Sequence, residues 1–274
     1  MGRIGNVFRK RGDTEILRQE FEKTVAAAAI ARKTGLFRVP KVLDFDDKDG
    51  QMDTEWIPGL CTLQALALKD AGACHGLCGR LGSAIAMVHE NLTLRTREPI
   101  AVHSCLDGLP GNQVFCHGDL TCRNVCYDTD HKSLVILDWA TAPLLSGRGT
   151  RATRYFDLIW FSFDLFFLPT AAKMAFWKAS PMADAFLSGY SAQCRQFAPN
   201  HFNLTAAEMA PCLRKLLNHP PPPRLRSPRA IARALKERIF QWRWQNYLLR
   251  RRNGAASSAR FPGGSPGKHG SAGE

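Results

Sequence analysis

The sequence contains no Cys-x-x-Cys pair, although it carries nine cysteines in 274 residues. Structural zinc needs four convergent ligands. Neither Cys74, His75 and Cys78 nor Cys116, Cys122 and Cys126 has the paired spacing for it. With no regular cysteine framework, the thiols read as reduced and as buried or incidental. No Gly-x-Ser-x-Gly elbow between a strand and a helix presents a serine nucleophile. Cys116 and His117 are adjacent, so on a strand they would point to opposite faces. No run of about 20 apolar residues could span a bilayer. The stretch Leu158–Leu168 is too short and is interrupted by Asp164. No N-terminal stretch has the make-up of a secretion signal, and no internal repeat is present. The expectation is a soluble, cytoplasmic protein with a sizeable core, in one domain or two packed lobes.

Acidic residues are nearly missing from one segment. Residues 224–252 hold ten Lys or Arg against Glu237 alone, so +9 of the formal +13 sits there. Residues 253–274 add +1, which leaves only +3 for the first 223 residues. The body is close to neutral, so the overall basicity does not describe what a cleft binds, and nucleic acid is not an expected partner. The basic segment predicts a final helix over about 228–250. Ile231, Leu235, Ile239, Trp242 and Leu249 approximate one stripe, and Arg229, Arg233, Lys236, Arg243 and Arg250–Arg252 supply charge. Two readings stay open. The helix packs on the body with its arginines in water, or residues 228–252 meet an anionic membrane surface or an acidic partner. Residues 253–274, rich in Gly, Ser and Ala, read as a disordered tail.

Along the rest of the chain, strands come early and helices late. Ile4–Lys10 reads as a strand. Asp13 or Thr14 caps a helix to about Lys33, closed by Gly35. Val39–Phe45 and Met52–Ile57 read as strands, with a turn between them and Pro58-Gly59 after. Helices follow over about 62–70 and 74–91. Gln113–Cys116 and Leu134–Leu137 are short apolar strands. After a Gly/Arg-rich loop at 146–154 the pattern is helical to about 195, broken at Pro169 and Pro181, and again over 204–217. This order implies a small mixed lobe joined to a larger helical one. The aromatic cluster Trp160, Phe161, Phe163, Phe166 and Phe167 reads as a buried helix face.

One segment concentrates chemistry. Val114–Cys116 leads into His117-Gly118-Asp119, Asn124 follows five residues after Asp119, and Leu134–Leu137 delivers Asp138-Trp139. Two short strands bring Asp119, Asn124 and Asp138 to one edge of a cleft. Those hard oxygens suit magnesium, which takes one or two carboxylates plus phosphate oxygens and water. Phosphoryl transfer needs such a metal, neutralised phosphate charge and an aligned nucleophile.

The Asp119-to-Asn124 spacing is that of the protein-kinase catalytic loop. With Gly118 before the Asp and Asp138-Trp139 further on, the segment resembles the aminoglycoside phosphotransferase and choline kinase group of small-molecule kinases. The resemblance extends over Val39–Phe45, Thr54–Gly59, Ala84–His89 and Tyr155–Leu158, roughly residues 4–195. It implies an α+β, protein kinase-like two-lobe fold. The small N-terminal lobe would be truncated and span 1–57, as strand, helix and two strands to the hinge. A mainly helical C-terminal lobe with the catalytic loop would span 58–252, and the tail 253–274. It further implies a phosphotransferase that uses ATP and Mg2+ on the hydroxyl of a small molecule. Asp119 would be the catalytic base and Asn124 and Asp138 the metal ligands. His117 and Asp157 would support the loop. Backbone groups of Glu55, Trp56 and Ile57 would hold adenine. Lys10 would contact the α- and β-phosphates, paired with Glu20 or, second, Glu22.

About six residues precede Val7, so the family's phosphate-covering hairpin has no room. The chain is then either a piece of a longer one, or a catalytically weak kinase-like binding or scaffold protein that uses its basic C-terminal helix. The acceptor is expected to be a sugar or another metabolite. An aminoglycoside is disfavoured because 143–154, expected over the acceptor, carries Arg148, Arg151 and Arg154 and no acid.

Overall fold

The computed structural model describes residues 2–94, 112–141, 151–167, 177–217 and 228–258. The small lobe begins with β1 (Gly2–Ile4) and β2 (Val7–Arg11), then α1 (Thr14–Thr34), β3 (Val42–Asp46) and β4 (Gln51–Glu55). The four strands form an antiparallel sheet in the order β1-β2-β4-β3. The strand read over Ile4–Lys10 is therefore a hairpin. Gly5 at φ 59° opens its two-residue Gly5-Asn6 turn, a conformation that glycine adopts at no steric cost. The turn is tied to the end of β4, where Trp56 N–H donates to Asn6 O at 2.9 Å.

Helix α1 has clear punctuation. Asp13 Oδ1 accepts from Ile16 N–H at 3.1 Å. At the other end Gly35, at φ 66°, donates its N–H to Ala31 O at 2.9 Å. Leu17, Ala27 and Ile30 bury one face.

The larger part contains β5 (Leu60–Thr62), α2 (Leu63–Lys69), α3 (Ala71–Asn91), β6 (Gln113–Phe115), β7 (Val125–Asp128), β8 (Ser133–Ile136) and β9 (Arg151–Thr153). Helices α4 (Tyr155–Phe167), α5 (Ala179–Gln193), α6 (Pro199–Leu217) and α7 (Pro228–Ser258) complete it. Strands β5-β7-β8 form one small antiparallel sheet and β6-β9 another. Strands β5, β7 and β9 are absent from the sequence reading, because three or four residues are too few for alternation to show. Strand β9 falls inside the stretch 146–154 read as a loop.

The core lies among these helices. Helices α3 and α5 approach backbone to backbone. A Cβ on Gly82 would sit 1.9 Å from Phe186 O, and one on Gly189 2.0 Å from Gly79 O. The aromatic cluster of α4 is buried: Trp160, Phe161, Phe163 and Phe166 all belong to the core. Helix α7 runs past Arg252 to Ser258, so the tail boundary read at 253 is corrected. Ala255 and Ala256 favour helix strongly enough to carry the chain through Asn253-Gly254. The expectations for Arg148 and Pro169 lie outside the described residues.

Candidate active site

The segment after β6 is fixed from behind. Asp157, in the first turn of α4, is fully buried. It accepts from His117 N–H at 2.7 Å and Gly118 N–H at 2.9 Å. Its carboxylate also bonds His89 Nε2 at 3.0 Å, and His89 Nδ1 bonds Tyr190 Oη at 2.9 Å. Burial opposes the charge of Asp157, but the His89 hydrogen bond and charge and the backbone donors outweigh it and hold the pKa below the usual range. Gly118 has φ 86°, and a Cβ there would meet Thr141 Oγ1 at 2.9 Å. The loop needs glycine at that position for both reasons.

His117 bridges two parts of the site. Its Nδ1 faces Asp119 N–H at 3.2 Å, so that nitrogen accepts, and its Nε2 lies 3.1 Å from Leu137 O, to which it donates. That is the neutral tautomer. Burial pushes its pKa down to about 4. The ring packs on Trp139, with centroids 4.7 Å apart.

Asp119 and Asn124 are joined within the loop. Asn124 Nδ2 donates to Asp119 O at 2.9 Å and to Asp119 Oδ2 at 3.3 Å. Both amide hydrogens are thus used, which leaves Asn124 Oδ1 as a hard oxygen. Asp119 is partly buried. Burial first, and then the negative charge of Asp138, raise its pKa to about 7.

Asp138 stands just past the end of β8 at φ 54°, in the left-handed region. Its side chain is 39% exposed, so one carboxylate oxygen can serve a ligand. Lys10 Nζ donates to Asp138 Oδ1 at 2.7 Å and to Glu20 Oε1. Burial alone would lower the pKa of Lys10, but the carboxylates of Glu20 and Asp138 raise it above the ordinary value. Glu20, not Glu22, is the partner of Lys10.

These groups open on a cavity of about 410 Å³ between the small sheet and the β7-β8 hairpin. That volume suits a small-molecule site. Lys10, Glu20, Asn124, Asp138 and Trp139 line one part, and Met52, Trp56, Ile57 and Leu60 line an apolar part. The three expected hinge residues are all at this cavity. The N–H groups of Glu55 and Trp56 already donate, to Lys41 O at 2.8 Å and to Asn6 O at 2.9 Å. They are not free to meet a ligand.

Two supports of the site do not appear among the residues that the sequence motif groups together. Lys23 lies three residues after Glu20 in α1, is 1% exposed, and donates through Nζ to His117 O at 2.5 Å. Burial lowers its pKa. The signal was available: Lys23 falls on the helix face that buries Glu20, Ala27 and Ile30. Asp164, one helix turn beyond Trp160, accepts from Cys122 N–H at 2.7 Å. From the sequence alone it reads only as an interruption in an apolar run. The acceptor argument from arginines is also revised. Arg154 is buried and donates to Gln196 Oε1 and Cys194 Sγ, both at 2.7 Å, because β9 turns it into the body. Arg151 lies over the Phe115 ring at 4.8 Å. Cys61, Cys74, Cys78, Cys116, Cys122, Cys126 and Cys194 are buried and form no disulfide. Among the described residues no group of three or more His, Cys, Asp or Glu is placed to hold a metal by itself, and no helix is long and apolar enough to cross a membrane.

This arrangement of lobes and loop is a protein kinase-like fold. Among solved structures, a choline/ethanolamine kinase family protein from Mesorhizobium loti matches with a TM-score of 0.50 at 19% identity, over 91% of this chain and 88% of that chain. A glucosamine kinase matches with a TM-score of 0.55 at 13% identity, over 86% of this chain and 72% of that one. The same kind of enzyme in complex with glucosamine, ADP and inorganic phosphate gives 0.53 at 13%, over 86% and 74%. No protein-family model and no curated protein sequence matches the chain.

Proposed function

We propose that this chain transfers the γ-phosphoryl group of ATP to a hydroxyl of a small molecule. The observation that carries the reading is the row Glu20–Lys10–Asp138 at the cavity, with Asn124 also in its lining and Asp119 hydrogen-bonded to Asn124. A lysine held between carboxylates is placed to neutralise phosphate, and a half-exposed carboxylate beside an amide oxygen suits a hard divalent cation. Asn124 and Asp138 fit Mg2+ by the chemistry of their oxygens. When bound, that ion supplies charge neutralisation to the transferring phosphoryl group.

The chain's own residues do the rest. Asp119 orients the acceptor hydroxyl and accepts its proton, a task suited to a carboxylate with a pKa raised toward neutrality. Neutral His117 and buried Asp157 hold the loop, so that Asp119 does not have to reorganise. Adenine fits the apolar part of the cavity near Trp56, Ile57 and Leu60. Because two N–H groups there are engaged, recognition falls to carbonyl groups and to Ile57. The acceptor is a sugar or another neutral or anionic metabolite rather than an aminoglycoside polycation. Arg123 on the cavity wall and Arg151 near β6 support this, and no longer Arg154.

Calorimetry of Mg-ATP on the wild type and on Asp138→Ala tests the proposal. Wild type is expected to bind, and the variant to bind at least about 10-fold more weakly, since even loss of a group that only supports a metal ligand costs that much. Absence of binding by the wild type overturns the enzyme reading. A panel of sugars and other hydroxyl metabolites, with ATP consumption as readout, then finds the acceptor.

A further inference from the structure

Helix α7 has two apolar faces, and among the described residues only one of them is packed. Phe240, Trp244, Tyr247 and Leu248 are buried, against α4 among others: the Trp244 ring meets Phe163 at 5.2 Å and Tyr247 meets Phe166 at 5.2 Å. On this side Tyr247 Oη donates to Asp184 at 3.0 Å, and Arg251 bonds the same carboxylate at 2.6 Å. The stripe singled out in the sequence is on the other side. Leu235 is 58% exposed, Ile239 41%, Trp242 63% and Leu249 54%. At about 100° per residue these four fall within about 80° of arc, opposite the buried set, along about 21 Å of helix.

Charge borders this stripe on both sides. Arg238 and Arg252 fall along one edge, and Arg243 and Arg250 along the other. Arg238, Arg250 and Arg252 are exposed and form no ion pair among the described residues. The only acidic residue between 224 and 252 is Glu237, which is not part of the stripe. Four large apolar side chains with a central tryptophan and flanking arginines form the pattern of a helix lying in a lipid interface, where rings and apolar chains enter and guanidinium groups stay with the headgroups.

We infer that the outer face of α7 docks on an anionic phospholipid surface. Two other occupants fit less well. A second copy packed stripe to stripe would bring arginines against arginines with no acid between them. One acidic helix could not cover the stripe and also reach both arginine edges, which stand more than about 120° apart around the axis. A lipid surface presents negative headgroups along both edges at once, and each arginine near it adds to the attraction. The inference does not depend on the phosphotransfer reading.

Co-sedimentation of the full chain with phosphatidylcholine vesicles, with and without about 30 mol% phosphatidylserine, tests it at physiological salt. Wild type is expected to partition at least about 10-fold better onto the anionic vesicles. Arg238→Gln/Arg250→Gln/Arg252→Gln should lose most of that preference, and Ile239→Ser/Trp242→Ser should lose binding to both. Both variants change exposed side chains, so their melting temperatures should match the wild type. Trp242→Phe keeps the stripe apolar, and should remove most of the fluorescence quenching that brominated phosphatidylserine produces in the wild type. Equal binding of the wild type to both vesicles overturns the inference, as does quenching that persists in Trp242→Phe. A dimer in sedimentation that Trp242→Ser dissociates assigns the face to a second copy and also overturns it. So does tight binding to polyglutamate with no binding to anionic vesicles.

Discussion

Lys10 Nζ and Asp138 Oδ1 are 2.7 Å apart, joining β2 to the end of β8 across the cavity. The same ammonium bonds Glu20, so one buried cation serves two anions. Lys10→Met should leave Glu20 as an uncompensated buried carboxylate and cost about 3 kcal/mol. Adding Glu20→Gln removes that stranded charge and should restore much of the loss. Urea denaturation of the single and double variants measures both values. If the single variant is as stable as the wild type, the Lys10–Glu20 pair does not stabilise the fold.

The contact between α3 and α5 gives a purely steric prediction. A Cβ on Gly82 would lie 1.9 Å from Phe186 O and 2.7 Å from Tyr190 N. Backbone atoms cannot move aside as a side chain can, so Gly82→Ala should force the helices apart and cost about 3 kcal/mol or more. Gly76 lies in the same helix, is exposed, and would find nothing within 4 Å. Gly76→Ala should therefore stabilise by about 0.5–1 kcal/mol through helix propensity alone. Thermal melts of the two variants should move in opposite directions.

Asp157 meets two backbone N–H groups and His89. An amide at this position would turn an NH2 toward a donor. Asp157→Asn should cost about 3 kcal/mol at neutral pH and lower any phosphotransfer activity as the loop loosens. The folded pKa of Asp157 is depressed. Its stabilisation is therefore present above the unfolded carboxylate value of about 4 and is lost as pH falls through the folded value. The gap between wild type and variant should narrow in acid. A gap constant from pH 7 to pH 3 would contradict the depressed pKa.

What the sequence made legible is uneven, for physical reasons. Helix α1 could be bounded because its ends carry their own chemistry, an Asp that caps and a Gly at φ 66°. His117, Asp119, Asn124 and Asp138 could be grouped because their spacing is short and local. Lys23 shares a helix face with Glu20, Ala27 and Ile30, but its tie to the site is not local. A lysine on a helix reads as solvated, and only the carbonyl of His117, 94 residues away, explains its burial. Strands β5, β7 and β9 are held by their pairing partners rather than by their own pattern. Helix α7 misled because it is apolar twice. The sequence shows a stripe at Leu235, Ile239, Trp242 and Leu249, but the core takes the bulkier Phe240, Trp244 and Tyr247 instead.

Asp119 gives the prediction in which stability and chemistry oppose each other. Burial and the nearby charge of Asp138 raise its pKa to about 7, whereas an unfolded aspartate titrates near 4. Between those values the folded chain holds a proton that the unfolded chain has released. The stability it contributes is full below about pH 4 and is lost as pH rises through 7. Asp119→Asn cannot ionise. Its stability relative to the metal-free wild type should therefore grow with pH, from little difference at pH 4 to about 1–2 kcal/mol at pH 8, a figure reduced for partial exposure. Urea melts over that range read it directly, and parallel curves would show an unperturbed carboxylate. The same variant should lose nearly all phosphotransfer, because the ionised form that strains the fold is the one that accepts the hydroxyl proton. A cation held by Asp138 would offset the charge that raises the pKa of Asp119. In the presence of Mg-ATP the stability difference at pH 8 should shrink, and the acid limb of the rate profile should fall below 7. An Asp119→Asn chain that is more stable at high pH yet inactive would thus tie the strain in this loop to its task.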